Sequence, residues 1–314
     1  MKKILTLLLA FPVVATFMTG CQSEDIVYSG PEYVMFSDSI YTMPVLDAED
    51  ATFSVPVAAT TTVGYDRNYA VEIVNGKSTA VRGFHFDFVE TSNNIVIKAG
   101  ERVANVQLKG HYANVGREDS LKLCLRLVEP QSQKWELYGN ETQVDFIKCH
   151  PFKMNDFLRI KNDADEANFM MYATFPFDTN MVTLTAKGVK KDDKTLMLTD
   201  MFGNSGVGDI RLIFDDSDPL DLQITVPEQP AFRESTYGTV WLRSVAQYPS
   251  YFNTFDNFFV LILEVYVPQI GSFGVYQYIF RALSTDESEN NNNGAATRST
   301  EKSVFALNKF NFKN

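Results

Sequence analysis

Apolar and polar residues alternate with a period of two in run after run of this chain, and no other feature constrains its fold as tightly. Thr52–Ala58 puts Phe53, Val55 and Val57 on one face, and Tyr69–Val74, Ala104–Leu108 and Leu121–Leu127 repeat the pattern. Successive strand residues point to opposite faces, so each run reads as a half-buried strand. No segment carries a helical period of useful length. Pro56 cannot donate to a ladder, which predicts an edge strand or an outward bonding side there. Asn75-Gly76 reads as a two-residue hairpin turn. Short strands with regular turn signals over residues 31–149 predict a β-sandwich.

Pro151 marks a join, and a second strand-rich series covers residues 150–314. It opens at Phe157–Ile160. Asn168–Phe177, Val182–Val189, Thr195–Thr199, Ile210–Phe214, Leu220–Pro227, Thr239–Ser244, Phe258–Val267, Val275–Leu283 and Val304–Phe312 follow. Such a set suits a second β-barrel or β-sandwich domain. Phe258–Leu263 is its most apolar run, too short to cross a bilayer as a helix and best read as a central strand. Residues 284–303 are polar, with Asn290–Asn293 in a row, and predict a disordered loop between two strands.

One stretch carries a family resemblance. Ala80-Val81-Arg82-Gly83-Phe84-His85-Phe86-Asp87-Phe88 precedes Ile95-Val96-Ile97-Lys98-Ala99-Gly100-Glu101, and a long apolar strand then runs toward Glu129. The order resembles the Calx-beta pattern, which implies an immunoglobulin-like sandwich. Some Calx-beta domains bind calcium, but the acidic pair expected after the Gly-Glu strand is replaced here by Gly110–Arg117. Asp87 alone is far short of the six to eight oxygens calcium takes. The fold therefore carries over and the metal does not. Gly100-Glu101 reads as a turn.

The N-terminus reads as a processed leader. Lys2 and Lys3 precede an uncharged, largely apolar run from Ile4 to Phe17, and Met18-Thr19-Gly20-Cys21 follows. The run is too short for a membrane span and fits a signal-peptide core. The small residue before Cys21 resembles the lipobox of bacterial lipoproteins. The resemblance implies cleavage after residue 20, lipidation of Cys21, and a tether over residues 21–30. Glu24 and Asp25 resemble the export signal of Bacteroidetes surface lipoproteins, which implies a protein facing outward from the outer membrane.

Charge narrows the partners. With 28 basic and 39 acidic residues the net charge is −11, and loss of Lys2 and Lys3 makes it −13. A negative chain repels phosphate backbones, so nucleic acid is not expected as a partner. After Cys21 only Cys124 and Cys149 remain, fewer than a disulfide scaffold uses. They could pair or stay as two thiols.

The search for chemistry yields little. His85, His111 and His150 lack partners at metal-ligand spacing. Gly76-Lys77-Ser78 lacks the earlier glycine of a phosphate-binding loop, since position 71 is Val71. Gly203–Gly208 lacks the glycine two after Ser205 that a nucleophile elbow needs. Asp215, Asp216, Asp218 and Asp221 form the densest acidic cluster. It reads as a solvated turn, with a weak cation site or a glycosidase carboxylate pair as the functional alternative. No cofactor is expected, and the chain reads as a non-enzyme.

Aromatic residues remain. Tyr248, Tyr251, Phe252 and Phe255 crowd one stretch, with Trp241 just upstream. On an exposed loop they would form platforms for sugar rings or a protein partner. Alternatively, they pack the end of the second domain. The architecture resembles uncharacterised Bacteroidetes outer-membrane lipoproteins, which implies an accessory role in capturing polysaccharide or other nutrients beside a transporter. The alternative is a structural subunit docking on another surface protein, with a glycan-active hydrolase behind both.

Overall fold

The computed structural model describes residues 30–90, 93–135, 139–160, 165–176, 180–199 and 201–284. The leader, Cys21 and most of its tether, nearly all of the loop at 284–303 and the expected strand Val304–Phe312 lie outside the described residues. The chain divides into two compact units, parted near Ile147 and Lys148. Both are built of strands.

The first unit is an immunoglobulin-like β-sandwich. Its strands are β1 (Val34–Phe36), β2 (Ile40–Leu46), β3 (Phe53–Ala59), β4 (Arg67–Ile73), β5 (Phe86–Phe88), β6 (Asn94–Ile97), β7 (Val103–Gly110), β8 (Leu121–Val128) and β9 (Glu141–Cys149). One sheet runs β1-β3-β7-β5 and the other β2-β9-β8-β4-β6. The alternation read from the sequence sets the inner faces. Val55 and Val57 of β3 and Leu123, Leu125 and Leu127 of β8 are buried. Phe86 of one sheet meets Phe146 of the other at 5.7 Å between ring centroids, as facing sheets require. Arg67 is buried at the sandwich margin, where it donates to Glu32 and to the carbonyls of Thr61 and Glu101.

Two local expectations change, and at Pro56 the second of the two alternatives, an outward bonding side, holds. The strand holding Pro56 lies inside its sheet and not at an edge. β1 pairs only with Val57–Ala59, so the missing donor of Pro56 falls just past the end of that ladder. Asn75-Gly76 does turn, through Lys77 N–H to the Val74 carbonyl, but no hairpin forms because β4 pairs with β6 and β8. Phe157 ends a helical turn, α1 (Met154–Phe157), instead of opening a strand. By contrast, Gly100 sits at φ 82 and Glu101 N–H closes onto the Lys98 carbonyl, the turn expected there.

The second unit is a closed barrel. After α1 come β10 (Glu166–Thr174), β11 (Met181–Lys190), β12 (Thr195–Leu198), β13 (Ile210–Asp215), β14 (Gln223–Thr225), β15 (Gln229–Glu234), β16 (Gly238–Ser244), β17 (Ser250–Asn253), β18 (Phe258–Val267) and β19 (Gly271–Ala282). Eight strands close the ring in the order β10-β11-β12-β13-β14-β17-β18-β19, with β19 pairing back to β10. β18 is longer than β17, which pairs with Phe258–Val260 alone. The rest of that edge, Leu263–Tyr266, is taken by β16, which carries β15 beside it.

Side chains fill the barrel. Phe169, Phe214, Phe259, Tyr278 and Phe280 are fully buried, and Phe259 stacks on Phe280 at 4.6 Å. α1 sends Phe157 among them, 5.5 Å from Phe252 and 5.7 Å from Phe214. Eight strands enclose a space just wide enough for such packing.

Candidate functional site

The aromatic stretch expected to be a loop contains a strand, β17. Alternation then separates its rings. Phe252 is 4% exposed and belongs to the barrel core, while Tyr251 faces outward at 41% exposure. Phe252 is thus not on a surface that a ligand reaches. Tyr248 closes a tight turn by donating its N–H to the Val245 carbonyl. Asn253 Oδ1 accepts from the N–H groups of Phe255 and Asp256, and the Phe255 ring lies 5.7 Å from that of His150. The five aromatics singled out in the sequence do not form one cluster. Tyr251 pairs with Val260 and Trp241 with Tyr266 along one edge of β18. Six strand residues at about 3.3 Å each separate those positions by roughly 20 Å.

Trp241 instead belongs to a different group. On β16, Val240 and Leu242 are buried in the barrel, so Trp241 and Arg243 face out. The register places Pro230, Trp241, Tyr266 and Ser272 side by side across β15, β16, β18 and β19. The next rung carries Arg243, Glu264 and Val275. Arg243 lies over the Tyr266 ring at 4.6 Å, leaving that ring 8% exposed although it is on the outer wall. Its guanidinium donates to Glu264 at 2.8 Å and to Glu228 at 3.4 Å.

These charges shape each other. The Ser272 hydroxyl, and then Arg243, hold Glu264 below the usual carboxylate range. Burial, followed by the neighbouring Glu228 carboxylate, pushes the Tyr266 phenol up to about 12. The result is a fixed patch on the barrel wall, with a partly exposed indole at one end and an arginine held between two carboxylates at the other. Arg243, Tyr266, Glu228 and Glu264 were missed in the sequence. The period of β18 did hold the signal, since Glu264 and Tyr266 fall on the face opposite Leu263 and Val265.

The remaining motifs resolve into turns. Asp215 and Asp218 accept from the N–H groups of Ser217 and Leu220, and Asp216 pairs with Lys194 across a hairpin tip. Gly203–Ser205 is a single helical turn with Gly203 at φ 52. Cys124 and Cys149 are both buried and unbridged, and burial, then Asp218, pushes the Cys149 thiol up to about 11. The histidines are less scattered than their spacing suggests. His111 donates its backbone N–H to the His85 carbonyl and sets its ring 3.1 Å from Asp87. No group of three potential metal ligands forms among the described residues.

No family model and no curated protein matches the chain. Solved structures do. A protein of unknown function from Bacteroides ovatus is 11% identical, with a TM-score of 0.33, over 79% of this chain and 89% of its own. An auxiliary nutrient binding protein from Bacteroides thetaiotaomicron is 11% identical, with a TM-score of 0.29, over 78% of this chain and 90% of its own. CBD12 from CALX1.2 is 12% identical, with a TM-score of 0.32, over 65% of this chain and 84% of its own.

Proposed function

We propose that this protein is a lipid-anchored, non-catalytic surface module that binds glycan on the outer wall of its barrel. It would act as an accessory to nutrient capture beside an outer-membrane transporter. The observation that carries the reading is the patch of Trp241, Tyr266 and Arg243. A planar aromatic ring supplies an apolar face for the C–H side of a sugar, and adjacent charged groups supply donors and acceptors for its hydroxyls. The strands beneath fix both, so little ordering cost is added on binding. The filled barrel supports a role on the exterior. The leader ending at Cys21 supports the anchor, and Glu24 and Asp25 support outward display.

Retention of the full chain, in detergent, on a panel of insoluble polysaccharides tests the reading. At least one polysaccharide should retain it, and Trp241→Ala and Arg243→Ala should each weaken retention tenfold or more. A chain retained by none of the panel would contradict it, as would retention unaffected by both substitutions.

A further inference from the structure

The sandwich carries a groove of its own, none of whose lining residues belongs to the patch on the barrel wall. It opens beside β1 with a volume of about 500 Å³, within the range of about 300–1,000 Å³ for small-molecule sites. Its floor is Met35 and Ala58, paired neighbours on β1 and β3. Both point away from the core because Val34, Phe36, Val57 and Ala59 point into it. Trp135, from the connection between β8 and β9, forms one wall. Its indole stacks on Tyr33 with centroids 5.6 Å apart and planes inclined by 18°, which fixes the plane of the ring.

The polar part of the lining is tied down. It consists of Ser37, Asp38, Ser39 and Glu141. The Thr142 hydroxyl donates to the Asp38 carbonyl at 2.9 Å, and Gln143 N–H to the Ser39 carbonyl at 2.9 Å. Asp38 Oδ1 accepts from Ser39 N–H at 2.6 Å. Its other carboxylate oxygen accepts no hydrogen bond among the described residues. Glu141 is held by Lys77 and Arg126. The described lining thus offers an indole, an apolar floor, two hydroxyls and two carboxylates. It includes no cation.

We propose that this groove binds a neutral pyranose unit of a glycan, with the sugar ring against Trp135 and its hydroxyls donating to Asp38. The inference rests on the preceding reading only for the class of ligand, since the groove shares no residue with the barrel wall. A hydroxyl can donate to a carboxylate, and charge-assisted bonds of this kind are the stronger ones. A uronic acid would bring its carboxylate beside that of Asp38, with no cation in the described lining to offset it, so acidic glycans bind more weakly.

The chain holds two tryptophans, one in each surface, which lets emission report them separately. In the full-length Trp241→Phe variant only Trp135 emits. Neutral tetrasaccharides of glucose, mannose and xylose are titrated in turn, with oligogalacturonate as the acidic probe. At least one neutral probe should change Trp135 emission saturably, and oligogalacturonate should bind tenfold or more weakly. Adding Asp38→Asn, whose amide oxygen can still accept from Ser39 N–H, should raise the apparent Kd at least tenfold. Silence of Trp135 toward every neutral probe would overturn the inference, as would equal binding of the acidic probe or an unchanged Kd with Asp38→Asn. In the Trp135→Phe variant, Trp241 reports the barrel wall alone. A response there with Trp135 silent sinks only the groove, and the reverse pattern sinks only the wall.

Discussion

Arg243 lies over the ring of Tyr266, its guanidinium carbon 4.6 Å from the ring centroid, on the outside of the barrel. A tyrosine in that place would ordinarily be wet. Covered by Arg243 and set beside Glu228, its phenol is pushed up to about 12, mainly by burial. The unfolded chain releases this proton near the ordinary value of 10, while the folded chain retains it. The contribution of Tyr266 to stability is therefore complete below pH 10 and is lost as pH rises from 10 toward 12. Glu228→Gln removes the second cause and should lower the Tyr266 titration. Spectrophotometric titration of tyrosinate checks this, and an unchanged curve would contradict it.

Tyr278 offers a second test inside the barrel. Its side chain is fully buried, and its hydroxyl has no hydrogen-bond partner among the described residues. Burial pushes its pKa well above the usual phenol value. A buried polar group left unpaired costs about 1–3 kcal/mol. Tyr278→Phe removes that cost with the ring kept, so urea unfolding should show a gain of about 1 kcal/mol. It should also lessen the loss of stability above pH 10. A loss of more than 1 kcal/mol at neutral pH would mean that the hydroxyl is satisfied.

The aromatic core should be costly to open. Phe259 and Phe280 stack at 4.6 Å with planes inclined by 8°. Removing a buried phenyl costs about 3–5 kcal/mol in lost transfer energy and residual cavity. Phe259→Ala should lower the stability of the barrel by that amount. Because the two units have separate cores, the sandwich transition should move little. Calorimetry separates these outcomes, and a shift of both transitions together would show one cooperative unit.

Glu141 sets an acid limit on the sandwich. Lys77 first and Arg126 second hold its carboxyl below the usual range. Its stabilising contribution is present above about pH 4.5 and is lost as pH falls through the lowered folded value. Glu141→Gln should weaken the sandwich at pH 7 and flatten its loss of stability between pH 5 and 3. Denaturant midpoints across that range measure it. Parallel wild-type and variant curves would contradict the ion cluster.

The alternating runs made much of the fold legible. β18 matches Phe258–Val267 residue for residue, and β3, β7 and β8 fall within a residue or two of their runs. Part of what escaped notice was short or punctuated, although β9, nine residues with alternate residues buried, was passed over as well. β17 spans four residues between Pro249 and an Asn-rich turn, so its turn formers hid a strand. β15 contains Pro230, and a shift in register near it accommodates the missing donor. Whether the second domain was a barrel or a sandwich depended on β19 reaching both β10 and β18, a long-range pairing that no local pattern encodes.

The site was less legible, for a related reason. Composition drew attention to Tyr251, Phe252 and Phe255, which are neighbours in sequence. Strand geometry sends adjacent residues to opposite faces, so Tyr251 and Phe252 could not share a surface. Trp241 meets Tyr266 only through the register of β16 on β18. Trp135 meets Tyr33 across a separation of about a hundred residues.

Binding of fluorescently labelled polysaccharide to intact cells tests the central claim most directly, using a polysaccharide that retains the purified chain. Cells producing the unaltered protein should be labelled. Cells producing Cys21→Ala should lose surface label because the anchor is gone, and Trp241→Ala should reduce it tenfold at equal surface abundance. Unlabelled cells producing the unaltered protein, or equal labelling with Trp241→Ala, would contradict a surface-anchored glycan-binding role for the barrel wall.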